Sequence, residues 1–90
     1  MARSPLLVRS PATLRRDGPF GVVLLAPGDE EPRALAGSAV AVWEALAETV
    51  SRDDLVADLA AAFGADPATV AADVAPLLDA LLASGAVVET

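Results

Sequence analysis

Ninety residues, 54% of them hydrophobic, make one small domain with a single core. Cysteine and histidine are both absent, which excludes disulfides, thiolate zinc sites and the commonest general base. The net charge of −7 is unevenly placed: Arg3, Arg9, Arg15 and Arg16 precede every acid, all thirteen acids follow, and there is no lysine. An acidic body of this kind is a poor surface for nucleic-acid backbones.

Residues 1–11 carry Pro5 and Pro11 around Leu6, Leu7 and Val8, and read as an extended N-terminal arm. Little in residues 1–8 offers itself to a core, so they are expected to be dispensable for folding. The apolar run after Arg3 is too short for a signal peptide, and no apolar run reaches the about 20 residues of a membrane span. The expected setting is therefore cytoplasmic.

A domain is expected over residues 12–90. Residues 12–16 form a first strand candidate, and Asp17-Gly18-Pro19 is a turn signal. Residues 21–25, Gly-Val-Val-Leu-Leu, are the best strand pattern in the chain. An acidic turn bounded by Pro27 and Pro32 leads to a weaker third strand over residues 33–36, with Leu35 facing the core. Gly37-Ser38 then switches the chain from strands to helices, with Ser38 as the expected N-cap.

Beyond it Ala39, Val42, Trp43, Leu46 and Val50 recur with helical spacing, so the first helix should reach Val50 with Trp43 buried against the sheet. Phe20 and Phe63 are the other large pieces available to a core. Ser51 caps a second helix whose first turn holds Asp53 and Asp54, where the helix dipole favours acids. Leu55, Leu59 and Phe63 mark its buried face, and Gly64 ends it. Asp66-Pro67 opens a third helix with an apolar stripe of Val70, Val74, Leu77, Leu78, Leu81 and Leu82. Pro76 sits inside that pattern and predicts a kink or a local opening. Gly85 ends the helix, and residues 86–89 suit a short edge strand. The expected class is α+β, a small three-stranded antiparallel sheet packed on three helices in a winged-helix-like arrangement.

No catalytic constellation emerges. The acids fall at caps, in turns or on polar helix faces, and Asp53-Asp54 is explained by first-turn capping. The glycines are spaced as turns rather than as a phosphate loop, and Asp29-Glu30-Glu31 lacks the spacing of a calcium loop. The chain therefore reads as a binding module and not an enzyme, with no cofactor and no metal site.

The ordered set Gly21-Val-Val-Leu-Leu, Leu35-Ala-Gly-Ser-Ala and Val42-Trp43-Glu-Ala-Leu46 resembles the PqqD-like family. Asp66-Pro67, Asp73-Val74, Leu77-Leu78-Asp-Ala-Leu81, Gly85 and the early Arg9-Ser10-Pro11 fit the same pattern, so the resemblance spans about residues 9–88. These are peptide-recognition elements of ribosomally made, modified peptides. The resemblance implies a three-stranded sheet on three helices that holds the leader segment of a precursor peptide. It also implies presentation of that peptide to a modifying enzyme: a radical enzyme, a peptidase or a cyclase. In the family the leader adds as a strand to the third strand and lies against the third helix. Carried over, the strand edge is Arg33, Ala34, Leu35 and Ala36, and the helix side is Thr69, Asp73, Pro76, Leu77 and Ala80. Family members often carry an aromatic on the third strand, where Arg33 and Ala34 stand here.

Three rival readings share parts of this pattern. A winged-helix DNA-binding regulator has the same topology but needs basic residues on its last helix, and residues 66–85 hold three acids and no Lys or Arg. A carrier domain would be small and acidic but needs a serine for prosthetic attachment, and Ser38 and Ser51 read as caps. A generic protein-interaction domain is the remaining alternative.

Overall fold

A computed structural model describes residues 5–19 and 21–90. Phe20, expected as a core piece, lies outside them. The elements run β1 (Leu6–Arg9), β2 (Leu14–Gly18), β3 (Gly21–Leu25), β4 (Arg33–Leu35), α1 (Ser38–Ala45), β5 (Val50–Ser51), α2 (Arg52–Phe63), α3 (Pro67–Ser84) and β6 (Val87–Glu89). The class is α+β, as the sequence predicts.

The predicted meander is the sheet β2-β3-β4, antiparallel throughout. Its first strand is displaced two residues from the expected 12–16, because the ladder with β3 runs from Leu14 opposite Leu25 to Gly18 opposite Gly21. A second three-stranded sheet, β5-β1-β6, was not expected as a unit. Residues 6–9 are its central strand: Leu7 lies opposite Val50 on one side and Glu89 on the other. Leu7 is only 2% exposed. The expectation that residues 1–8 are dispensable is thereby corrected for residues 6–8, and residues 1–4 lie outside the described residues. The prolines that make it look like a terminus sit outside the strand, where a missing N–H costs no ladder bond.

The first helix also differs from expectation. It ends at Ala45, and Val50 belongs to β5 instead. The N–H of Leu46 is shared between the carbonyls of Val42 and Trp43, and the Leu46 carbonyl accepts from Arg9 at 3.1 Å. The helix carbonyl ladder is thus closed off by the second sheet. Ser38 is the first helical residue and not the cap. Gly37 holds the cap position, and backbone bonds from Ala39 to Ala36 and from Val40 to Gly37 take the first-turn donors a serine cap would satisfy.

The later helix signals hold. The Ser51 hydroxyl accepts from the Asp54 N–H at 3.1 Å, and the Asp66 carboxylate accepts from the Thr69 N–H at 3.2 Å. Gly64 and Gly85 end their helices in left-handed conformations. α3 runs from Pro67 to Ser84 with Pro76 inside it. Ala72, whose carbonyl Pro76 cannot bond, and Pro76 itself are both exposed, so water can take the lost partner's place.

One core joins Leu7, Val22, Leu24 and Leu35 of the sheets to Val42, Trp43, Leu55, Leu59, Leu78 and Leu81 of the helices. Trp43 is 2% exposed, as expected. Phe63 departs from expectation: it is 49% exposed, because α2 ends at that residue and turns its last ring out of the core. Among the described residues α3 is the one helix long and apolar enough to cross a membrane, but its Val70, Val74, Leu78 and Leu81 are buried in this core.

The acidic turn is pinned to the end of α3. The Gly28 N–H donates to the Ser84 carbonyl at 2.9 Å. A β-carbon at Gly28 would stand 2.7 Å from that oxygen, closer than contact allows.

Two outcomes follow from this packing. Leu7→Ala should lower stability by about 2–5 kcal/mol, the usual range for a buried leucine, while Leu6→Ala on the exposed side should cost far less. Equal effects in urea denaturation would contradict the central placement of β1. Gly28→Ala should cost about 1–3 kcal/mol through overpacking against the α3 terminus. An unchanged urea midpoint would show that the turn is free to move off Ser84.

Candidate functional site

β4 is three residues long and, among the described residues, pairs on one side only, with β3. Its register sets Arg33 opposite Leu24, Ala34 opposite Val23 and Leu35 opposite Val22. The direction of its backbone groups follows from one close approach. A β-carbon on Gly21 would collide with the Leu35 carbonyl oxygen, so that carbonyl points at β3. Backbone groups alternate in direction along an antiparallel strand, so the N–H and C=O of Ala34 point away from β3, off the free edge. Ala34 is exposed and its methyl screens little of that backbone.

The side chains of the strand divide by face. Leu35 is 4% exposed and belongs to the core, so its side chain is not offered to a ligand. Arg33 lies on the same face, half-buried, with its Nε closed from solvent and without a hydrogen-bond partner among the described residues. Ala36 follows the strand, exposed, and its carbonyl accepts from Ala39 as α1 begins.

Past Ala36 and Gly37 the chain enters a cleft of about 130 Å³ between the start of α1, the end of α2 and the first half of α3. Val42, Val70 and Val74 give it an apolar floor, and the half-exposed Phe63 ring stands at it. Ser38, Thr69 and Asp73 supply polar groups. Thr69 is held by the Asp66 cap through both its N–H and its hydroxyl, at 3.2 and 3.4 Å. Asp73 lies one turn further along the same face.

Of the residues expected on the helix side, Thr69 and Asp73 line this cleft. Pro76, Leu77 and Ala80 lie farther along α3 and do not line it. Pro76 is exposed, and Leu77 is half-buried against the core. Sequence reasoning missed Ser38, Val42 and Phe63 as cleft residues. The signal for Phe63 was its place directly before Gly64, where a helix stops and the last side chain need not face inward.

Comparison with known proteins gives one family. The model described as Coenzyme PQQ synthesis protein D (PqqD) matches residues 21–87. No curated protein and no solved structure matches the chain. The family match runs from the start of β3, through β4 and all three helices, to the first residue of β6. Covering that much of the 90 residues, it shows that the chain belongs to the PqqD family, the accessory recognition elements of modified-peptide biosynthesis that include the coenzyme PQQ synthesis protein.

Proposed function

We propose that this domain captures the leader segment of a ribosomal precursor peptide as an added strand on the outer edge of β4, and presents the peptide to a modifying enzyme. The observation that supports this best is the outward-facing backbone of Ala34 on a short, unpaired edge. Strand addition draws its affinity from such main-chain groups and its choice of partner from pockets for alternate side chains. The cleft lined by Val42, Phe63, Thr69 and Asp73 opens just beyond the end of β4, and a second, apolar pocket borders Ala34, Leu35 and Ala36 themselves.

The domain acts by holding and not by chemistry. Its partners on this reading are the precursor and one modifying enzyme, a radical enzyme, a peptidase or a cyclase, in the cytoplasm. Duplex DNA is disfavoured as a partner, because the exposed face of α3 carries Asp73 and Asp79, which repel phosphates.

Ala34→Pro tests the reading. The Ala34 N–H makes no bond to β3, so proline there removes a donor from the edge and leaves the β3–β4 ladder in place. Titration of a labelled leader peptide should weaken by about tenfold or more, the effect of one lost backbone bond plus ring crowding. Ala57→Ser, exposed on α2, should bind like the parent. An Ala34→Pro variant that keeps its circular dichroism and still binds as tightly as the parent would overturn strand addition at this edge.

A further inference from the structure

On the other flank of α1 lies a pocket of about 310 Å³, bounded by Arg9, Ser10, Thr13, Arg15 and Trp43. It shares no lining residue with the cleft beside β4. In a chain of net charge −7 its lining holds two arginines and no acid. Arg15 is already committed, to Asp17 at 3.0 Å and Glu44 at 2.7 Å. Its guanidinium is held above its ordinary range, first by the Asp17 hydrogen bond, with Glu44 adding to it. Arg9 is not committed: among the described residues it makes no ion pair. It stacks over the Trp43 ring, 5.0 Å from the centroid. Its Nη1 and the Nε1 of the buried Trp43 are both closed from solvent, and neither has a hydrogen-bond partner among the described residues. Two unsatisfied donors, one of them charged, beside one pocket is an arrangement that folding alone disfavours.

We infer that this pocket receives a carboxylate of a protein partner, an aspartate or glutamate side chain, between the Arg9 guanidinium and the Trp43 indole N–H. A carboxylate supplies what the pair lacks. It accepts from a guanidinium with two oxygens in a matched geometry, and a lone pair remains for the indole. The contact with Trp43 places the Arg9 guanidinium beside the indole. Arg9, half-buried on a flexible stem, is the wall that moves to admit the group. The site stands independently of the β4 reading. With it, α1 would carry a peptide on its Val42 flank and an acidic partner on its Trp43 flank.

The single tryptophan makes the test direct, because the protein has one indole N–H resonance. The full chain is titrated with acetate, with a capped tripeptide centred on glutamate, and with the same tripeptide centred on glutamine. Saturable downfield movement of the indole N–H with acetate and the glutamate peptide, and none with the glutamine peptide, is the expected result. Tighter binding of inorganic phosphate than of either carboxylate would overturn the assignment to a protein carboxylate. Arg9→Gln should weaken the glutamate peptide by about tenfold or more, as loss of a charge-assisted bond does. Arg9→Lys keeps the charge without the fork and should recover only part of the affinity. Trp43→Phe keeps the ring and removes the donor. Followed by calorimetry, it should also weaken binding while keeping the fold, which covers the case in which the Arg9 variants unfold. An indole resonance that carboxylates leave unmoved, or move equally in Arg9→Gln, would overturn the proposal.

Discussion

The pairing of Leu6–Arg9 between Val50–Ser51 and Val87–Glu89 is the constraint on which the rest of the structure depends. It brings the first, middle and last parts of the chain into one sheet. From that sheet the Arg9 N–H reaches the Leu46 carbonyl and ends α1, and the Ser10 N–H reaches the Ala86 carbonyl beyond α3. The Arg9 side chain lies over Trp43, the largest side chain of α1. Two helix ends and the one tryptophan are therefore positioned by residues 6–10, which local sequence patterns mark as a terminus. The loop-closure entropy of such pairing is substantial, and the burial of Leu7, Val87 and Leu46 is what offsets it.

With β1 filled on both sides, the other sheet is left with two open edges, and they are not equivalent. β2 presents Leu14, Arg15, Arg16 and Asp17, and the charges discourage another strand from pairing there. β4 presents Ala34, flanked by a leucine turned into the core and an arginine on the same inner side. Its exposed backbone is the least guarded. The glycine at position 21 contributes directly, because any side chain there would collide with the Leu35 carbonyl and push β4 out of register. The same residue thus permits the ladder and fixes which of the β4 groups face outward.

What was legible in the sequence was local chemistry. Ser51, Asp66-Pro67, Gly64 and Gly85 act within one turn of themselves, and each does what its residue type predicts. The β-branched run from Gly21 to Leu25 is a strand for the same reason. The misreadings come from pairing far away in the chain and from backbone geometry at helix ends. Val50 fits the spacing of α1, but pairing with Leu7 claims it for β5. Ser38 is a good cap by composition, but Gly37 and two backbone bonds fill that role. Phe63 fits an apolar stripe, yet the helix ends beneath it. The edge at residues 33–36 came from family resemblance. That Ala34 is its outward residue depends on register, which three residues of sequence do not contain. The two unsatisfied donors of Arg9 and Trp43, separated by most of the first half of the chain, left no trace in it at all.

The central claim is that the backbone of Ala34 is an open pairing site that a leader peptide fills. Amide hydrogen exchange at that residue, followed by NMR with and without the precursor peptide, tests it most directly. Leu35, whose backbone faces β3, should be protected in both states, and Ala34 should exchange freely alone and become protected when the peptide is bound. An Ala34 amide that exchanges at the same rate under saturating peptide would contradict the account.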